Sequence, residues 1–71
     1  MNFETMQQRL HAGLEIIEDT EGDLDVGAHA YMVFVPTATW SAYSEADIEE
    51  MKTTLGWSWS DDFGWVFPCL A

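Results

Sequence analysis

A single cysteine, Cys69, leaves no partner for an internal disulfide. His11 and His29 are isolated from it and from each other, so no Cys/His spacing of the zinc type exists. Cations are almost as scarce: Arg9 and Lys52 face 13 carboxylates, for a net charge of −11. That deficit disfavours direct binding to nucleic acid or to an anionic membrane, because nothing can neutralise phosphates. Met1-Asn2-Phe3-Glu4 has neither the basic nor the apolar region of a signal peptide. The longest apolar run, Ala30 to Pro36, is far too short for a bilayer span. With a lone cysteine and no export signal, a cytoplasmic location is the expectation. No glycine-rich phosphate loop, GxSxG or HExxH occurs, and the chain is expected to be non-enzymatic and free of cofactors.

What is present must compensate for the missing staples. The 71 residues are expected to form one domain, 1–71, near the lower size limit for a core that folds unaided. Without a disulfide or a metal, such a chain depends on dense apolar packing or on association. An apolar fraction of 48% is too high for intrinsic disorder and sufficient for a packed core.

Much of that core is concentrated between Trp57 and Phe67, which holds Trp57, Trp59, Trp65 and Phe67 at odd positions. Such alternation reads as strand, turn, strand with one face buried. Asp61-Asp62-Phe63-Gly64 fits a type I turn, with Asp first and Gly fourth. Closing there places Asp61 opposite Trp65 and Trp59 opposite Phe67, and leaves Phe63 at the tip, outside the core.

Earlier in the chain, Asn2 is an acceptable N-cap, and Phe3, Met6 and Leu10 follow at helical spacing. Leu14 and Ile17 continue the stripe to about Glu18, yet Gly13 sits where a C′ glycine would. The shorter helix, about Asn2 to Ala12, is favoured, with Leu14 to Glu18 as a strand. Thr20-Glu21-Gly22-Asp23 is turn-like. Leu24 to Val35 reads as one strand with a bulge at Gly27, apolar on both faces apart from His29. Thr37 to Tyr43 is a connection that packs Trp40 and Tyr43 back on the core. Ser44 then caps a second helix with an Ile48, Met51, Leu55 stripe and Gly56 as its stop. The sum is an α+β fold in the order αββαββ, with an antiparallel sheet of three to four strands and two helices on one face.

Catalytic readings are weak. Cys69 with His11 or His29 could pair as nucleophile and base, but nothing lowers the thiol pKa in an anionic protein. The run Glu15, Glu18, Asp19, Glu21, Asp23 and Asp25 is dense enough to attract calcium, although its order is not that of an EF-hand loop. A small calcium-binding module is therefore one alternative. A homodimeric assembly module, joined through an open sheet face near Tyr31, Val33 and Val35, is another.

The charge itself is the stronger lead. A net −11 with two cations exceeds what folding or solubility asks of so short a chain. Carboxylates on one strand face would repeat every ~7 Å, comparable to a multiple of the ~3.4 Å axial phosphate spacing of one DNA strand. Such a surface could occupy a basic nucleic-acid groove on another protein, with Phe63 as an aromatic anchor. The residues expected to meet that partner are Glu15, Glu18, Asp19, Glu21, Asp23, Asp25, Asp61, Asp62 and Phe63. In size, charge and lack of catalytic residues the chain resembles the small acidic proteins that phages and other mobile elements encode against host nucleases, CRISPR complexes or restriction enzymes. The resemblance implies an anti-CRISPR or anti-restriction inhibitor.

Overall fold

The computed structural model describes residues 2–29 and 31–68, with the side chains of Phe3 and His29 outside that description. Helix α1 (Phe3–Glu21) leads into strands β1 (Gly27–His29) and β2 (Met32–Val35). A 3-10 turn (Trp40–Ala42) follows, then helix α2 (Glu45–Glu49), continued by a π-helical turn (Glu50–Thr54). Strands β3 (Ser58–Ser60) and β4 (Gly64–Pro68) complete one antiparallel sheet in the order β1-β2-β4-β3. The α+β class and the αββαββ order agree with expectation. Within the first half, the boundaries do not.

Helix α1 begins where Asn2 accepts a hydrogen bond from Thr5 N at 2.8 Å. It does not end at Gly13, and Leu14 to Glu18 are helix, not strand. The stop is Gly22, at φ 81°, whose N–H donates to the Glu18 carbonyl at 2.8 Å. Gly13 serves a different purpose. It is buried against Trp57, and a Cβ at that position would overlap the indole ring. The indole Nε1–H donates to the Arg9 carbonyl, one turn back along α1, at 3.2 Å. Glycine in a helix interior costs about 1 kcal/mol relative to alanine; here the missing side chain lets a tryptophan reach the helix backbone.

The run from Leu24 to Val35 is likewise not one strand. Residues 23–26 are coil, and β1 and β2 form a tight hairpin with Ala28 opposite Val33 and His29 opposite Met32. Gly27 faces Phe34 across the pair, and the phenyl ring lies 2.6 Å from where a Cβ would be. A glycine taken for a bulge is thus a seat for the ring of its cross-strand neighbour.

The second half follows the expected element order, but its hairpin register does not: Asp61 does not pair with Trp65, nor Trp59 with Phe67. Ser44 caps α2 by accepting from Asp47 N at 3.1 Å, and Gly56, at φ 77°, ends the helical stretch. Its last turn widens to π geometry, with Leu55 N donating to the Glu50 carbonyl at 3.0 Å. In the β3–β4 hairpin Trp59 pairs with Trp65 and Ser60 with Gly64, so Asp61–Phe63 is a three-residue loop. The tip is held by Ser60 Oγ, which accepts from Asp62 N at 3.2 Å and Phe63 N at 3.3 Å; the role expected of Asp61 falls to a serine. Gly64, at φ 70°, and Trp65 both oppose Val35, which makes a β-bulge with a left-handed glycine.

The shift of two residues keeps odd positions on one face, so Trp57, Trp65 and Phe67 are core as expected, while Trp59 is only half-buried against it. Trp57, Trp65, Phe67 and Val35 are buried with Ile17 of α1 and with Met51 and Leu55 after α2, which places both helices over this inner face. Fully burying a large apolar side chain contributes roughly 1.5–3 kcal/mol, and this cluster supplies a staple that a lone cysteine cannot. The outer face carries Met32, Phe34 and Val66, half-buried and outside the cluster. This corrects the open face expected near Tyr31, Val33 and Val35. Val35 is 1% exposed, Val33 shares its side of β2, and Tyr31 projects from the β1–β2 turn. Among the described residues, no helix is long and apolar enough to cross a membrane.

Candidate interaction surface

The expected contact residues divide between one helix, one coil and one hairpin tip. Glu15, Glu18 and Asp19 lie exposed on the C-terminal half of α1. Asp23 and Asp25 are exposed in the coil before β1, and Asp61 and Asp62 in the β3–β4 loop. None of these lies on a strand, so the ~7 Å strand repeat is not realised. On α1 the relevant spacing is that of i, i+3 and i, i+4 neighbours, about 5–6 Å between Cβ atoms.

Topology gathers two of these segments. Strand β1 begins, β2 ends, β3 ends and β4 begins at one end of the sheet. The coil with Asp23 and Asp25 enters there, and the loop with Asp61 and Asp62 turns there. The strands that receive them are two to three places apart in the sheet, roughly 10–15 Å at the usual strand spacing. Two stretches about 40 residues apart in sequence thus form one acidic end.

Glu21 stands apart from the other carboxylates. It is half-buried at the end of α1, where its oxygens accept from Thr39 N at 3.1 and 3.3 Å and from the Tyr43 hydroxyl. It ties the helix end to the connection between β2 and α2. Burial, and then the hydrogen bond to Glu21 and its charge, push the Tyr43 phenol well above its ordinary pKa of 10.0. The neighbouring Trp65 indole N–H favours the ionised phenol, the opposite direction, although that buried N–H completes no regular hydrogen bond.

The last turn of α1 holds Glu18, Asp19 and Glu21 and no basic residue. Negative charge at a helix C-terminus opposes the helix dipole, at roughly 0.3–1 kcal/mol per group when exposed. Glu45 and Asp47, at the start of α2, have the favourable sense. Glu18 and Asp19, exposed at the end of α1, therefore gain the helix nothing.

Phe63 is 40% exposed, as expected for the tip, but its ring is not isolated. It meets Phe34 edge-on, with centroids 5.4 Å apart and planes at 60°. Gly27, Phe34 and Val66 lie in one row across β1, β2 and β4 on the outer face. Sequence reasoning does not single out Phe34, because a stretch apolar on both faces fits a strand covered on both sides or on one side by a partner, and it does not single out Val66, because only the odd-numbered face of its hairpin reads as buried. The alternation Gly64-Trp65-Val66-Phe67 held the signal, since one of its two apolar faces had to remain without a helix.

Among the described residues no three His, Cys, Asp or Glu side chains converge to hold a metal ion. Cys69 lies outside the described residues, and His11 is exposed on α1 between Glu4 and Glu15 along a shallow, one-helix depression. Lys52 is placed over the Trp40 ring, 4.9 Å from its centroid. No protein-family model, no curated protein and no solved structure matches this chain.

Proposed function

We propose that this is a non-enzymatic acidic binding protein, an inhibitor or nucleic-acid-mimicking decoy that occupies the basic, nucleic-acid-binding surface of a partner protein. The observation that carries the reading is the acidic end of the sheet, where Asp23 and Asp25 join Asp61 and Asp62 with no gain to turn or helix that would require all four. Thirteen carboxylates against two cations leave most without an internal partner, and one of the cations lies on Trp40. Charge of this density speeds encounter with a basic surface and suppresses other partners. Self-association has apolar area available on the outer sheet face, but each copy would bring a net −11 to the contact. An anti-CRISPR or anti-restriction role is one form this inhibition would take.

The test begins with capture of partners from a lysate at low salt and elution along a salt gradient. Captured proteins should be nucleic-acid binders whose affinity falls steeply with salt and which excess duplex DNA displaces. Converting Asp23, Asp25, Asp61 and Asp62 together to lysine should abolish capture; Glu21 is left intact because its loss would disturb the fold. Binding that ignores both salt and DNA would reject the proposal.

A further inference from the structure

We infer that the outer sheet face at the acidic end, formed by Phe34, Phe63 and Val66 over Gly27, is the apolar anchor of this contact, and that its occupant is an aliphatic side chain set among arginines or lysines of a basic protein. The inference rests on the proposed binding to a basic surface and specifies how that surface is gripped.

Three observations support it. Phe34 and Val66 are cross-strand neighbours, half-buried, outside the cluster that holds the domain together. Phe63 leans on Phe34 yet remains 40% exposed, and Val26, just before β1, is 44% exposed. A tip needed only for turning would take a polar residue at the place of Phe63, since Ser60 and Gly64 already supply the turn chemistry. The patch also has a rim of one sign, with Asp25 at one corner and Asp61 and Asp62 at the other. Arg9 belongs to α1, over the inner face, and Lys52 is drawn to Trp40. An apolar centre with a charged rim is the anatomy of a binding hot spot. The sign of the rim selects a basic partner over a second copy of this chain. Charge alone would confer speed and little selectivity among basic partners, and the aromatic centre supplies that discrimination.

Two synthetic peptides of equal positive charge test this, one with arginines separated by serines only, the other with its central serines replaced by leucine. Titrated into the full chain at physiological salt, the leucine peptide should bind roughly tenfold more tightly. Phe63→Ser with Val66→Thr should erase that advantage and leave the serine peptide unaffected. Asp61→Asn with Asp62→Asn should weaken both peptides. Should the Val66 change unfold the domain, as read by circular dichroism, Phe63→Ser alone decides, because its loop is exposed. Equal binding of the two peptides, or an advantage that survives the substitutions, would overturn the anchor and leave the basic-surface reading standing. Failure of both peptides to bind would overturn both.

Discussion

On the inner face of the sheet Trp65 and Phe67 are less than 2% exposed beneath both helices. On the outer face Val66, between them in the same strand, and Phe34, its partner on β2, are only half-buried. On β2 and β4 both faces are apolar, although a sheet with one solvated side ordinarily alternates apolar with polar residues, as β3 does with Ser58 and Ser60 on its outer side. The inner face is explained by folding, since a domain this small with no internal disulfide needs it. The outer face has no such explanation, and it lies beside the acidic end. The difference separates residues that hold the domain together from residues available to something else.

The comparison breaks most sharply at adjacent positions of β4. Trp65→Ala should cost roughly 3–5 kcal/mol, against a total stability of roughly 4–10 kcal/mol for a domain of this length, so the variant should lose about half of its stability or more. Val66→Thr, one residue away, should cost less than about 1.5 kcal/mol. Urea titrations that ranked the two equally would show that the outer face is also structural. Next in size is Gly64→Ala, which imposes a left-handed conformation on alanine and drives its Cβ into the Val35 carbonyl. A loss of roughly 2–4 kcal/mol is expected.

Gly13→Ala is a test of sign. Helix propensity alone would make it stabilising by about 1 kcal/mol, whereas overlap with Trp57 should make it destabilising by about 2 kcal/mol. A rise in melting temperature would mean that Trp57 does not pack on the bare helix backbone. The smallest expected effect is at the margin of the inner cluster. Tyr43→Phe removes the hydrogen bond to Glu21 and should cost about 1 kcal/mol at neutral pH. Because the folded phenol titrates above its ordinary 10.0, its contribution is whole below about pH 10 and is lost as pH rises toward the folded value. The wild-type protein should therefore lose stability above pH 10 more steeply than Tyr43→Phe does.

The class of fold and the buried aromatics were legible because Trp57, Trp59, Trp65 and Phe67 keep a strict two-residue period, and because Ser44 and Gly56 frame the second helix with good caps. The element order also came out as αββαββ, but through two opposite errors. Leu14 to Glu18 reads locally as strand but is helix, and Leu24 to Val35 reads as one strand but contains a hairpin. Both errors arose at glycines. Gly13 and Gly27 look locally like a stop and a bulge, while in the fold each clears space for an aromatic ring, Trp57 far along the chain for one and the cross-strand Phe34 for the other. Local propensity carries no information about such a partner. For the candidate site, the acidic segments could be named from composition, but their convergence could not, because it depends on which ends of which strands lie together. Glu21 was indistinguishable from its neighbours until Thr39 and Tyr43 appeared beside it.

The packing of Trp40 also has an optical consequence. Its ring centroid lies 5.2 Å from that of Trp59 and 5.7 Å from that of Trp65, and those two are 5.4 Å apart. Three indoles this close share their excitation, so the native protein should show an exciton couplet in circular dichroism that vanishes on unfolding. Trp40 is the solvent-facing member, 38% exposed with the Lys52 ammonium above it. Emission from the cluster should therefore respond to a quencher or to a covering surface at that one position. The chain thereby carries an intrinsic reporter of its folded state, readable in dilute solution without a label.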